Sequence, residues 1–164
     1  MKVVTEKHGG VYFFSAVGEV NVVEKMKSCE AVIGGEGNGG IIYPDSHYGR
    51  DSLVGVALFL SHLAEKKMKC SELRATYPNY FMSKNKIQLT PEINVDAILT
   101  AMANKYSDEN VTTIDGVKID FEEDWVHLRK SNTEPIIRIY TESTSSEAAN
   151  SLALRFMNEI NELT

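Results

Sequence analysis

The apolar positions of this chain keep two different rhythms, one in each half. From Lys86 onward they alternate as strands do between two longer helical patterns. A strand is expected near Lys86–Leu89, a helix over Val95–Tyr106, and a hairpin of Val111–Asp115 with Val117–Phe121 turning at Asp115-Gly116. Strands Trp125–Leu128 and Ile136–Thr141 follow, then a helix over Ser146–Leu163. Strands bracketed by two helices predict a small α+β domain over 86–164, an antiparallel sheet packed by two helices. The first half alternates helix and strand instead. Glu6–Gly10 reads as the last turn of a helix with a glycine stop, Val11–Ser15 as a strand, Val20–Ser28 as a helix, and Ala31–Ile33 as a short buried strand. A glycine-rich loop and a brief strand through Tyr43 lead to Asp51, which can cap a helix from Ser52 to about Lys67. Its Leu53, Val56, Ala57, Leu60 and Ala64 fall on one stripe, as in a helix packed on a sheet. A short helix over Ser71–Thr76 stops before Pro78. The expected organisation is a partial α/β domain over 1–76, a polar linker over 77–85 and the α+β domain over 86–164.

Composition narrows the class of function. With 43% hydrophobic and 24% charged residues in 164, the chain can bury a core, and its net charge of −6 argues against nucleic acid and anionic membrane as partners. Any anion must be held locally. Cys29 and Cys70 have no metal-ligand spacing, and neither a secretory signal nor a membrane-length apolar run occurs, so a reduced, cytoplasmic protein is expected. Asn110-Val111-Thr112 matches a glycosylation acceptor by form alone.

Two segments carry candidate chemistry. Arg129-Lys130-Ser131-Asn132-Thr133-Glu134-Pro135 joins two strands and gathers a guanidinium, an ammonium, two hydroxyls and an amide. A phosphate dianion wants donors from several directions, and Arg129 can supply a two-pronged charged contact while Ser131, Asn132 and Thr133 supply neutral ones. The same residues suit an ordinary polar hairpin loop equally well. Ser131–Glu134 also spells a helix-capping box, which Pro135 and the β-branched Ile136, Ile137 and Ile139 oppose.

The other segment is Gly34-Gly35-Glu36-Gly37-Asn38-Gly39-Gly40. Its match to a dinucleotide-binding glycine pattern fails, because Ile41-Ile42-Tyr43-Pro44 continues as strand where that pattern needs a helix N-terminus. Glu36 and Asn38 can hydrogen-bond a polyhydroxy ligand that approaches the glycine backbone, or the segment is a plain turn. His8, His47, His62 and His127 are scattered without ligand spacing, and no nucleophile turn, Asp-rich metal loop or Walker-type loop is present in the sequence.

Taken in order, Gly34–Gly40, then Gly49-Arg50-Asp51 before an apolar helix, then Arg129–Arg138, resemble the α-D-phosphohexomutases: phosphoglucomutases, phosphomannomutases and phosphoglucosamine mutases. Val17-Gly18-Glu19 and the helix after it resemble the stretch before that family's sugar loop. The resemblance covers essentially the whole chain, as most of the third of four domains and all of the fourth. It implies that the third domain's first strand would precede Met1, leaving an edge that favours dimerisation.

By that resemblance, Glu36 and Asn38, with Glu19, contact the sugar, and Arg129, Ser131, Asn132 and Thr133, with Arg138, bind phosphate. The implied ligand is a hexose phosphate or bisphosphate whose 1- and 6-phosphoryl groups are interconverted. The implied phosphoserine belongs to the first domain and the implied Mg²⁺ loop to the second, and neither motif is in this sequence. Binding without turnover is therefore expected of this chain alone, with the family's N-terminal domains as partners. The competing expectation is a non-catalytic module that binds sugar phosphates or other anions.

Overall fold

The computed structural model describes residues 1–90, 93–131 and 134–163. Two compact units divide the chain, Met1–Pro78 and Asn79–Thr164. The architecture is mixed α/β, with a three-stranded sheet in the first unit and a five-stranded antiparallel sheet packed by helices in the second.

In the first unit, α1 (Lys2–Lys7) stops ahead of the Gly9-Gly10 pair and α2 (Glu19–Ser28) leads to a sheet of order β1-β2-β3: β1 (Gly34–Gly35), β2 (Ile41–Tyr43) and β3 (His47–Arg50). β3 had no counterpart in the sequence reading. It pairs Arg50 with Ile42, which carries Arg50 back beside the glycine loop. Asp51 caps α3 (Ser52–Lys66) as expected, its Oδ1 accepting from the N–H groups of Leu53 at 2.9 Å and Val54 at 3.0 Å. α4 (Cys70–Ala75) follows.

Three expectations for this unit fail. Val11–Ser15 forms no regular structure, and Val11, Tyr12, Phe13 and Phe14 are exposed. The strand expected at Ala31–Ile33 is displaced to Gly34–Gly35, with Val32 79% exposed. α3 turns Val54, Leu58 and His62 inward and leaves Leu53 81% and Leu60 55% exposed. β-branched and aromatic residues make a strand only where a neighbouring strand accepts them, and a helix apolar on most of its surface does not specify its packed face.

The second unit opens with β4 (Phe81–Gln88), so residues 81–85, expected in a linker, are sheet; they pair in full register with β8, Phe81 against Ser143 through Gln88 against Ile136. Then come α5 (Val95–Lys105), β5 (Asn110–Thr112), β6 (Val117–Asp120), β7 (Trp125–Lys130), β8 (Ile136–Ser143) and α6 (Ser146–Asn161), in sheet order β4-β8-β7-β6-β5. β5 ends at Thr112 and β6 begins at Val117, so residues 113–116 form a longer loop than the tight turn expected at Asp115-Gly116. Both helices carry polar caps: Asn94 Oδ1 accepts from Ala97 N–H and Ser145 Oγ from Ala148 N–H.

Strand alternation sorts this sheet into two faces. Ile137, Ile139, Val126, Leu128, Val117 and Ile119 meet Phe156, Leu152 and Met102 of the helices in one core. Thr141, fully buried among them, donates to the Ala149 carbonyl at 2.7 Å. The opposite face carries Arg129, Arg138, Lys86 and their neighbours.

Candidate functional site

In the first unit the glycine loop is closed on itself. Glu36 N–H donates to Gly40 O at 3.0 Å, Gly39 N–H to Glu36 O at 3.1 Å, and Gly40 N–H to Asn38 Oδ1 at 3.0 Å. Arg50 lies across it, its Nε donating to Glu19 Oε2 at 2.8 Å and its Nη1 standing 3.4 Å from Glu36 Oε2. Asn38 Nδ2 is 3.5 Å from the same Glu36 oxygen. Glycine at 40 makes this approach feasible, because a Cβ there would stand 2.6 Å from Arg50 Cδ.

Glu19 and Glu36, distant in sequence, thus meet one guanidinium that the sequence reading had not assigned to a site, and Asn38 stands beside Glu36. One cation between two carboxylates leaves acceptor capacity for the donors of a polyhydroxy ligand. His47, also unassigned, places Nε2 3.1 Å from Asp51 Oδ2. Only the Gly-Arg-Asp run hinted at either role, since the register of β2 and β3 is what brings them to the loop.

The Arg50 backbone N–H, and then its guanidinium, hold the Glu19 carboxyl below its ordinary value of 4.5, and the Val54 N–H, then the His47 ring, hold Asp51 below 3.8. Groups depressed in the folded state stabilise it above their ordinary values, and that contribution is lost as pH falls through the depressed ones. Acidification from about pH 6 to about pH 3 should therefore speed hydrogen exchange at the Arg50 and Val54 amides, after correction for intrinsic rates, ahead of the buried β8 amides. An equal change in protection at all of them would count against these pairs.

In the second unit Arg129 is the fifth residue of β7, and its Nε donates to Asp115 Oδ1 at 3.0 Å from the β5–β6 loop. His127 Nε2 lies 2.5 Å from the Asp115 carbonyl and ties the same loop down. Ser131 is buried at the strand end, its N–H donating to Ile136 O at 3.1 Å. Asn132 and Thr133 lie outside the described residues. Arg138 on β8 pairs directly with Arg129 and, on its other side, with Lys86. Lys130 extends instead to Asp96, with Nζ 2.9 Å from Oδ2. Asp115 is the partner the sequence concealed, because a carboxylate fourteen positions upstream reveals itself beside Arg129 only once β6 and β7 are in register.

Among the described residues no three His, Cys, Asp or Glu side chains converge to hold a metal ion. Among them, too, no helix is long and apolar enough to cross a membrane.

An α/β unit with a Glu-Asn glycine loop is followed in the chain by an α+β unit with an arginine-anchored strand loop. The chain belongs to the phosphoglucomutase/phosphomannomutase family: residues 1–80 match its alpha/beta/alpha domain III and residues 82–159 its C-terminal domain. It is 39% identical over 141 residues to a phosphoglucosamine/phosphogalactosamine mutase of Sulfurisphaera tokodaii, covering 85% of this chain and 31% of that protein. A phosphoglucomutase/phosphomannomutase of Thermococcus kodakarensis is 34% identical over 146 residues, 89% of this chain and 32% of its own. In structure the chain is similar to a phosphoglucomutase/phosphomannomutase family protein of Burkholderia thailandensis, with a TM-score of 0.76 and 27% identity over 96% of this chain and 34% of that one. The chain spans about a third of the length of the relatives it matches.

Proposed function

We propose that this chain supplies the sugar-binding and phosphate-clamping part of a phosphohexomutase that interconverts hexose 1- and 6-phosphates. Glu36 and Asn38, with Glu19, accept and donate hydrogen bonds to the sugar hydroxyls. Arg129, Ser131, Asn132 and Thr133, with Arg138, hold the phosphate that is not being transferred. The phosphoryl transfer itself falls to groups outside this chain. Hexose phosphates are charged and do not cross membranes unaided, so this reading implies work in the cytoplasm.

The observation that carries the proposal is the setting of Arg129. Its Nε is fixed by Asp115, it stands at the strand end beside buried Ser131, and its cross-strand neighbour Arg138 has no carboxylate partner among the described residues. Two guanidinium groups side by side against one carboxylate are an electrostatic cost that a phosphate dianion relieves.

The test is titration of the chain with glucose 6-phosphate and glucose 1-phosphate, followed by amide shifts at Arg129–Ser131, Arg138 and Glu36–Gly40. Arg129→Ala should weaken binding about 10- to 100-fold, the loss expected for a charged phosphate contact. Unchanged affinity would remove the phosphate from this loop, and turnover by the chain alone would refute the division of labour.

A further inference from the structure

The open face of the five-stranded sheet extends the cationic character of Arg129 beyond the loop. Cross-strand pairing puts Lys86 of β4 opposite Arg138 and Arg138 opposite Arg129, a row of three cations on three adjacent strands. Directly paired residues of an antiparallel sheet share a face, so all three stand opposite the helix-packed core. Arg129 has Asp115; neither Arg138 nor Lys86 makes an ion pair among the described residues. In the next row Lys84 sits over the Tyr140 ring, 5.6 Å from its centroid, and pairs with it in register.

This part of the face forms a shallow, open depression. Lys84, Lys86, Glu134, Arg138 and Tyr140 line an open cavity of about 360 Å³. Glu134 is its one carboxylate among the described residues and forms no ion pair with these cations. An edge strand often carries lysines merely to discourage pairing with another chain, and Lys84 and Lys86 on β4 serve that end. Arg138 cannot be explained so, because β8 is the second strand of the sheet, covered on both sides, and its guanidinium stem is half-buried between two further cations.

We propose that Lys86 joins Arg138 in an anion subsite on this sheet face, which takes a phosphate-monoester dianion and extends the clamp from the β7–β8 loop onto β4. The inference rests on the reading of Arg138 as a phosphate contact and adds Lys86 to it. Like charges paired directly across strands destabilise the sheet when no anion is present. A dianion over Arg138 and Lys86 turns that repulsion into two charge-assisted contacts, one planar and one a compact ammonium on a flexible stem. Lys84, engaged on the Tyr140 ring one row away, contributes less.

The test is titration of the chain and its variants with inorganic phosphate and, separately, with glucose 6-phosphate, read by amide shifts and by the salt dependence of Kd. Lys86→Gln, on an exposed strand position, should weaken binding of both probes about two- to fivefold and flatten the salt dependence; Lys86→Arg should restore most of it. Lys84→Gln should leave Kd close to that of the parent. If Lys86→Gln binds like the parent while Arg129→Ala is weakened, the subsite is overturned and the loop reading stands. If the amides of residues 84–86 and 138–140 shift in a Lys86-dependent way while 129–131 stay silent, the subsite stands and the loop assignment fails. Absence of binding by either probe overturns both.

Discussion

Phe156→Ala should destabilise the second unit by about 3–5 kcal/mol, the usual cost of emptying a fully buried aromatic site. Phe156 has no exposed surface and lies where the two helices and the sheet meet. Its ring stacks on Tyr106 with centroids 5.0 Å apart, and Phe121 closes the cluster at 6.3 Å. The Arg155 guanidinium lies 5.1 Å from the centroid of Phe156 and 5.7 Å from that of Tyr106. Tyr106 is held in turn by Glu159, both of whose carboxylate oxygens accept from its hydroxyl. Burial, with the Glu159 hydrogen bond, pushes the Tyr106 phenol up to about 12. Removing the ring between them therefore opens a cavity whose walls are tied in place and cannot easily collapse. Against a total of about 5–15 kcal/mol for a small domain, such a loss leaves the unit near its unfolding midpoint. Urea denaturation followed by the fluorescence of Trp125, the chain's single tryptophan, reads this unit directly. Phe156→Leu should recover much of the loss, and a cost under about 1 kcal/mol for the alanine variant would mean that this is not the core.

The second unit was more legible in the sequence than the first. Alternation from Ile137 onward in Ile136–Thr141 and the helical spacing of Ser146–Leu163 left one way to bury their apolar residues, and β8 and α6 lie within two residues of those bounds. The first unit offers fewer such constraints: Met26, Ile42 and Leu73 are its buried apolar side chains among the described residues. With so small a core, local propensity at Val11–Ser15 had nothing to pack against, and α3 could present either of two apolar stripes. Site chemistry followed the same division. Residue type and order picked out Glu36, Asn38 and the Arg129 loop as candidates, because donors and acceptors are visible in one dimension. What holds them is not. Arg50 reaches Glu19 and Glu36 through the pairing of β2 with β3, Asp115 reaches Arg129 through β6 with β7, and the row from Lys86 to Arg129 exists only in the register of three strands. Each is a long-range consequence of strand pairing, which no local pattern encodes.

Gly116→Ala tests that long-range link at its tightest point, and a loss of about 2–4 kcal/mol together with weakened phosphate binding is expected. Gly116 has a φ of +72°, in the left-handed region that costs a residue with a Cβ, and the added atom would stand 2.2 Å from the Leu128 carbonyl oxygen and 3.1 Å from Arg129 Cα. Those neighbours are backbone atoms of a central strand, so the loop must yield rather than the sheet. Lifting residues 113–116 withdraws Asp115 from Arg129 and breaks the contact between the Asp115 carbonyl and His127. The guanidinium is then free to swing, and the phosphate contact proposed for it would have to bear the ordering that Asp115 had already imposed. Asp115→Asn separates the two effects, since it keeps the glycine and the loop but removes the charge that fixes Arg129. It should cost little stability and still weaken phosphate binding. If Gly116→Ala lowered the urea midpoint while leaving affinity intact in the fraction still folded, the β5–β6 loop would be a structural turn alone, and Asp115 would have no part in presenting Arg129 to the anion.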